Sequence, residues 1–186
     1  MKIAVIGAGN IGGTLGKKWA SAGHEVGFGV RNPADAKFDA LRSVGKIVSV
    51  ADALQNVEVV LLSMSGGAVA EFAEQFGARL NGKIVIDATN NVRSPEMNNL
   101  ALLKEKAPQA LLVRAFSSLG WENFAQPTIN GETIDLFYCG AKDARNISDQ
   151  LVQEIGVHPV YLGDLDAAPI IDHLTRLWFI TLVSPK

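Results

Sequence analysis

Ile3-Ala4-Val5-Ile6-Gly7-Ala8-Gly9-Asn10-Ile11-Gly12 is the stretch that decides the fold of this chain. Its first four residues form a continuous apolar run, which is typical of a parallel strand that helices cover on both faces. The glycines predict a tight turn at Gly7, room for a pyrophosphate beside Gly9 and close packing of the next helix at Gly12. A helix N-terminus attracts anions, because its first-turn N–H groups are free and its dipole is positive there. We therefore expect a dinucleotide to bind Gly7, Gly9, Asn10, Ile11 and Gly12, the alternative being a purely structural turn.

Strand and helix signals alternate along the rest of the chain. Apolar runs predict further strands at 24–30, 46–50, 57–63, 83–87, 110–116, 133–140 and 158–162. Helices are expected between them at 11–22, 34–43, 51–54, 68–76, 96–106 and 143–155. This alternation predicts an α/β fold, a Rossmann-type doubly wound and mainly parallel sheet, with a short C-terminal helical appendage.

The turn after the second predicted strand decides which dinucleotide fits. A site for NAD carries an Asp or Glu about 20 residues after the glycines, where it bonds the ribose 2′-hydroxyl. This chain has Arg31 and Asn32 there instead. An arginine fork pairs with a 2′-phosphate through charge-assisted hydrogen bonds of roughly 1.5–3 kcal/mol each. We therefore expect NADP(H) to be the cofactor, bound by Arg31 and Asn32, unless Arg31 is a solvated loop residue.

Polar side chains follow the next strands at the same edge of the predicted sheet. In doubly wound sheets ligands bind outside the carboxyl ends of the strands. Met64 and Ser65 follow one strand and Asn90 follows the next, so we expect all three to contact the cofactor, unless the stretch at 64–66 is a plain strand-to-helix loop. The loop at 88–92 either holds the nicotinamide amide or a substrate carbonyl, or it is an ordinary cap network.

Composition argues against several classes of function. The chain has 186 residues, 48% of them hydrophobic, which is enough for one large domain. A net charge of −2 gives no reason to expect a nucleic-acid or anionic-membrane partner. Cys139 and three scattered histidines predict neither a disulfide nor a metal site, and Cys139 is expected to be a small buried side chain. No run reaches the ~18 apolar residues of a membrane span, and no signal peptide precedes the first strand, so we expect a cytoplasmic protein.

The last predicted helix is apolar on nearly every side. Its apolar residues are Leu174, Leu177, Trp178, Phe179, Ile180, Leu182 and Val183. Such a helix is buried against something, either the chain's own sheet or a second copy, and we favour a homodimer. We therefore divide the chain into an NADP-binding domain at 1–163 and a packing or dimerisation helix at 164–186.

With these residues in view, the chain resembles the family of NADP oxidoreductases that depend on the deazaflavin coenzyme F420. The resemblance rests on Gly7-Ala8-Gly9-Asn10-Ile11-Gly12-Gly13, Arg31-Asn32-Pro33, Asp87-Ala88-Thr89-Asn90, Ala115-Phe116, Gly120-Trp121-Glu122-Asn123, Gly163-Asp164-Leu165 and Arg176-Leu177-Trp178. It implies hydride transfer between NADPH and a deazaflavin that lies against the nicotinamide at the carboxyl edge of the sheet. Related domains reduce flavins, and one serves as the cytoplasmic reductase unit of membrane ferric reductases.

Hydride transfer requires close placement of two rings rather than an acid–base pair. We therefore assign no catalytic residue and predict that the reaction site is lined by Ser65, Thr89, Asn90, Ser117 and Ser118. An acidic deazaflavin tail has Arg93 and Arg114 as candidate contacts, although each is more simply a solvated or paired surface charge.

Three positions depart from the family's pattern. Ser117 stands where members commonly have Asn, Asn91 where they often have Pro, and Met64-Ser65 where Val-Pro is common. The resemblance therefore implies NADP(H) but leaves the acceptor open between a deazaflavin and a flavin. Two other functions stay open, namely NADPH-dependent reduction of a small imine or keto substrate and a non-catalytic NADP(H)-binding sensor.

Overall fold

The computed structural model describes residues 1–183, with side chains as far as Thr181. Its strands are β1 (Lys2–Ile6), β2 (Glu25–Val30), β3 (Lys46–Ser49), β4 (Val59–Leu62), β5 (Ile84–Asp87), β6 (Leu111–Arg114), β7 (Thr128–Ile129), β8 (Glu132–Thr133), β9 (Asp135–Gly140) and β10 (His158–Tyr161). Its α-helices are α1 (Asn10–Ser21), α2 (Asp39–Arg42), α3 (Val50–Ala53), α4 (Val69–Phe76), α5 (Leu100–Lys106), α6 (Trp121–Ala125), α7 (Arg145–Glu154) and α8 (Ala168–Val183).

The main sheet has the strand order β10-β9-β6-β5-β4-β1-β2-β3. Its strands pair in parallel except that β9 runs antiparallel to β6. The direction in which strands are added reverses between β1 and β4, where Ile3 lies opposite Val59 and Ile6 opposite Leu62. The carboxyl ends of β1 to β6 therefore meet at one edge, with the reversal point in the middle. The predicted Rossmann-type, mainly parallel fold is confirmed.

Helices cover both faces of this sheet. Side chains alternate along a strand, so Ile3 and Val5 of β1 enter one apolar core while Ala4 and Ile6 enter the other. The first core takes residues of α1, α2, α6 and α7, and the second takes residues of α3, α4, α5 and α8. Burial on both faces explains why the strands are continuous apolar runs rather than alternating ones.

Two segments differ from the expectation. The helix expected at 96–106 begins only at Leu100, because the preceding residues bond elsewhere. The N–H of Asn99 donates to Asp87 Oδ2 at 3.1 Å, and Asn98 Oδ1 accepts the N–H of Leu100 at 2.9 Å. The small hairpin of β7 and β8 was not expected, although Asn130-Gly131 is a typical two-residue turn sequence and both residues adopt positive φ.

One stripe of α8 packs on the sheet and another faces outward. Ala168 and Ile171 belong to the second core, and Asp172 and Thr175 are also buried. Five large apolar side chains of its described part stay exposed, namely Ile170, Leu174, Leu177, Trp178 and Ile180. The chain's own sheet therefore covers part of the helix, whereas the side chains of Leu182 and Val183 lie outside the described residues. The homodimer and the division of the chain at residue 163 stay predictions.

Candidate functional site

A cleft of about 980 Å³ lies at the carboxyl edge of the sheet, over the point where the strand order reverses. Its walls are the loops after β1, β2 and β4 together with one face each of α1, α2 and α4. Of the predicted site residues it is lined by Gly7, Gly9, Asn10, Arg31, Asn32, Met64 and Ser65. Ile11, Gly12, Thr89, Asn90, Ser117 and Ser118 are outside its lining.

Two of the three glycines are required by close backbone contacts. Gly7 has φ +99°, and a Cβ there would lie 2.8 Å from the backbone N of Met64. A Cβ on Gly12 would lie 2.1 Å from the carbonyl oxygen of Gly7 and 2.4 Å from Ser63 Oγ. The same Ser63 hydroxyl donates to the Gly7 carbonyl at 2.7 Å. Helix α1 can therefore approach β1 and β4 only because both residues lack a side chain.

Gly9 has the opposite surroundings, because a Cβ there would meet no atom within 4 Å. It precedes α1 as the N-cap residue, and no side chain hydrogen-bonds to the helix end. The first-turn N–H groups therefore point from the positive end of the helix into open space, as a bound phosphate requires. Asn10 borders this space, whereas Ile11 packs against the apolar core.

The exit of β2 presents cations to the cleft. Arg31 follows Val30 directly, and its side chain is 82% exposed with Nη2 3.6 Å from Glu71 Oε2 across the cleft. Asn32 shapes the turn, since its Oδ1 accepts the N–H of Ala34 at 3.2 Å. A weak, exposed ion pair leaves the Arg31 guanidinium free to exchange Glu71 for a phosphate.

Several cleft residues were missed by the sequence reasoning. They are Thr14, Lys17, Lys37, Phe38, Glu71, Phe72, Gln75 and Trp121, among others. Thr14 and Lys17 follow Asn10 at helical spacing, so the first-turn assignment could have been extended to them. Lys37 and Trp121 carry no such signal, because the chain brings them to the cleft through turns after β2 and β6.

The exit of β5 is a buried hydrogen-bond network. The Asp87 carboxylate is fully buried and accepts from the N–H and the hydroxyl of Thr89 at 2.9 and 2.5 Å. Asn90 is half-buried, and its Nδ2 donates to the Ser117 carbonyl oxygen at 2.8 Å. The loop also contacts the cleft wall, since a Cβ on Gly66 would lie 2.8 Å from the carbonyl carbon of Asn90.

The exit of β6 contains a backbone outlier and an unpartnered hydroxyl. Phe116 has φ +58°, a left-handed conformation that is rare for a bulky residue. Its ring packs edge-on against Trp19 and Phe124, which fixes the turn. Ser117 and Ser118 follow and are both buried, and Ser117 Oγ has no hydrogen-bond partner in the described chain. Strained backbone beside an unsatisfied polar atom is typical of ligand-binding sites.

Arg114 corrects one sequence-based interpretation. The sequence favours a solvated or paired surface charge at this position, but the Arg114 side chain is 0% exposed. Its Nη2 lies 2.8 Å from Asp172 Oδ1, and its Nη1 lies 3.6 Å from Asp87 Oδ2. The sequence of β6 cannot show that a helix almost 60 residues later supplies the counter-ion. Arg93 is exposed.

Cys139 is a structural side chain, as expected. It is 0% exposed in β9, and burial raises the pKa of its thiol to about 12. Within residues 1–183 no group of His, Cys, Asp and Glu side chains is arranged to hold a metal ion. Among the helices of residues 1–183, none is long and apolar enough to cross a membrane.

Comparison with known proteins relates the chain to oxidoreductases. A model of the family described as NADP oxidoreductase coenzyme F420-dependent matches residues 2–91, which confirms the family resemblance. The chain is 27% identical over 190 residues to metalloreductase STEAP2 of Mus musculus, covering 98% of this chain and 37% of that protein. The chain thus spans little more than a third of the length of the curated relatives it matches.

Solved structures share the fold. A protein of Arthrobacter sp. FB24, provisionally named an F420-dependent NADP-reductase, matches with a TM-score of 0.84 at 24% identity, covering 97% of this chain and 93% of that one. The hypothetical protein SMa0349 of Sinorhizobium meliloti matches with a TM-score of 0.75 at 30% identity, covering 90% and 87%.

Proposed function

We propose that the protein transfers a hydride between NADP(H) and a deazaflavin or flavin, on the premise that residues 2–91 match the family described as NADP oxidoreductase coenzyme F420-dependent. The observation that carries the proposal is the cleft of about 980 Å³ that joins Arg31, Gly9, Met64 and Trp121. Its volume is at the upper end of the ~300–1,000 Å³ of typical ligand sites, as an extended dinucleotide needs.

The chain's residues fit NADP(H) from one end to the other. The open N-terminus of α1 at Gly9 suits the pyrophosphate. Arg31, Lys17 and Lys37 line the cleft beyond it and suit the 2′-phosphate, because each is a cation at an exposed position. The nicotinamide end then lies toward Met64 and Ser65, at the exit of β4.

The acceptor ring is assigned to the exits of β5 and β6. Ser117 Oγ is buried there and has no hydrogen-bond partner within the part of the chain that the structure describes, and a ring carbonyl or N–H of the acceptor would satisfy it. Trp121, 39% exposed at the mouth of the cleft, offers a flat apolar face to the same ring. Bound NADPH would supply the hydride and leave as NADP⁺, and the acceptor would take that hydride together with one proton from solvent. The chain's part is to orient the rings and exclude water from between them.

The first test follows NADPH absorbance anaerobically after mixing with oxidised deazaflavin, riboflavin or FMN, with NADH as the control donor. We expect loss of NADPH with one of these acceptors and at least tenfold slower loss of NADH. Loss with plain flavins alone identifies a flavin reductase. No loss with any ring acceptor overturns the proposal. Oxidation by a small cyclic imine would then favour the small-substrate reductase, and tight NADPH binding without turnover would favour the sensor.

A matched pair of serine variants locates the acceptor. Ser117→Ala removes a hydroxyl that no described residue hydrogen-bonds, so the stability of the variant should be unchanged while kcat/KM for the acceptor falls roughly tenfold, the value of one hydrogen bond. Ser148→Ala is the control, because Ser148 is equally buried but lies on α7 and donates to the Ala144 carbonyl oxygen. Unchanged turnover in Ser117→Ala would show that Ser117 is not part of the reaction site.

A further inference from the structure

One buried guanidinium ties together the loops that follow β5 and β6. Arg114 Nη1 donates to the carbonyl oxygens of Asp87 at 3.1 Å and of Thr89 at 2.5 Å. Its Nη2 donates to Asn90 Oδ1 at 2.8 Å. Three hydrogen bonds thus attach the backbone at Asp87 and Thr89 and the side chain of Asn90 to a residue of β6.

The same contacts set which way the Asn90 amide points. Because its oxygen accepts from Arg114, its Nδ2 is turned toward the next loop, where it donates to the Ser117 carbonyl oxygen at 2.8 Å. Arg114 therefore controls the position of both loops, the one after β5 that carries Asn90 and the one after β6 that carries the Ser117 hydroxyl, which has no partner among the described residues.

The counter-ion comes from the C-terminal helix. Asp172 of α8 is 6% exposed, and its Oδ1 accepts from Arg114 Nε at 3.0 Å and Nη2 at 2.8 Å. Its Oδ2 accepts from Asn98 Nδ2 at 2.6 Å. Buried ion pairs add little net stability over apolar residues of the same volume, since desolvation offsets their attraction. The pair therefore calls for a role other than holding α8 on the sheet.

These loops border the cofactor cleft. Gly66 immediately follows the cleft residue Ser65, and its backbone is so close to Asn90 that a Cβ on Gly66 would lie 2.3 Å from Asn91 Oδ1 and 2.8 Å from the Asn90 carbonyl oxygen. A shift of the loop at 88–91 would therefore shift the wall of the cleft at the exit of β4.

We propose that Arg114 and Asp172 are positioning residues, which hold the loops at 88–91 and 115–118 in the geometry that places the two reacting rings, so that α8 is part of the reaction site. The inference rests on the proposed hydride transfer. Its physical reason is the steep dependence of such a step on placement, because a misplacement of about 1 Å can reduce a rate about 100-fold.

The test compares Asp172→Asn with Leu151→Ala. Asp172→Asn removes the charge but keeps the shape of the side chain, whereas Leu151→Ala opens a cavity in the other core, on α7. We expect Asp172→Asn to lower kcat roughly 10- to 100-fold while the NADPH Kd changes less than about threefold, because the phosphate end of the cleft is untouched. Leu151→Ala should lower the Tm at least as much without lowering kcat.

A second variant separates positioning from stability. The triple change Arg114→Met, Asp172→Leu and Asp87→Asn removes the buried arginine together with both carboxylates that face it, and replacing a buried ion network by uncharged residues of similar volume is often neutral or stabilising. We expect it to recover the Tm lost in Asp172→Asn but not the kcat. Recovery of both would overturn the inference.

A readout without turnover keeps this inference distinct from the proposed function. The fluorescence of the reduced ring in bound NADPH and the amide exchange of residues 88–91 are measured in the same variants. We expect Asp172→Asn to change both while NADPH affinity is kept. If none of the tested acceptors leads the wild-type protein to oxidise NADPH, the proposed function fails. Unchanged ring fluorescence and unchanged amide exchange of residues 88–91 in Asp172→Asn would separately overturn the positioning role.

Discussion

The two halves of the carboxyl edge are built on opposite principles. At the exits of β1 and β2 the backbone is open, since Gly9 faces empty space, and the charges are exposed, as with Arg31. At the exits of β5 and β6 the charges are buried and bonded to each other, as with Arg114 and Asp172. The first region suits a ligand that brings its own charge, and the second suits a neutral ring that must be placed accurately.

The difference indicates at which positions a charged residue can be replaced without loss of stability. Exposed cations gain little from the folded chain and are available to a phosphate. Buried ones depend on their partners, because a lone charge in the interior is strongly destabilising. The following changes test this contrast from the largest expected effect to the smallest.

Two arginines should differ most in their effect on stability. Arg114→Met leaves the buried Asp172 and Asp87 carboxylates without their cation, so we expect a loss of about 3–5 kcal/mol in the free energy of unfolding. Arg31→Met, at an exposed site, should change it by less than about 0.5 kcal/mol. Urea unfolding of both variants gives the values, and equal losses would contradict the contrast.

Two glycines should separate folding from binding. Gly12→Ala places a Cβ 2.1 Å from a backbone oxygen, and we expect it to destabilise the fold by about 1–3 kcal/mol and weaken NADPH binding. Gly9→Ala meets no atom within 4 Å, so its Tm should stay native while the NADPH Kd rises at least tenfold, since the methyl group enters the phosphate site. Gly67→Ala, which also faces open space, is the control. Native NADPH affinity in Gly9→Ala would show that the phosphate does not bind at this turn.

Arg31→Glu should change the choice of cofactor. A carboxylate repels the 2′-phosphate and accepts from a ribose 2′-hydroxyl instead, so we expect a preference for NADPH of about ten- to hundredfold to disappear. Kd values for NADPH and NADH, measured by fluorescence titration in both proteins, decide this. Equal affinities in wild type would already contradict the assignment of Arg31.

The smallest effect is expected at Asp35, beside the cleft cation Lys37. The hydrogen bond from the Lys37 ammonium, at 2.8 Å, holds the pKa of the Asp35 carboxyl below its ordinary value of 3.8. This stabilisation is therefore complete above that value and is lost as the pH falls through the lowered pKa. Asp35→Asn should lower the Tm slightly at pH 6, and the difference from wild type should shrink as the pH falls below 3.8 and the carboxyl is protonated. Because the pair is exposed, we expect 1 M salt to remove most of the effect.

The sequence predicted the first region much better than the second. Gly7, Gly9 and Arg31 are local signals, since each acts through its own backbone or its place after a strand, and all three line the cleft. Thr89, Asn90 and Ser117 were placed at the correct edge, but their mutual hydrogen bonds were not foreseen. Arg114 was misjudged, because its burial depends on Asp172, which is distant in the sequence. The Asn130-Gly131 hairpin was missed although its signal was present.

By itself the sequence determined the parallel sheet, the glycine turn and the cation at the exit of β2, because strand burial, turn geometry and charge are properties of short segments. Only the tertiary structure decided which loops meet at the carboxyl edge, that α8 supplies a counter-ion to β6, and that Ser117 Oγ has no hydrogen-bond partner among the residues that the structure describes. The physical reason is that a buried polar contact depends on the geometry of both its partners, and the partners here come from elements that packing alone brings together.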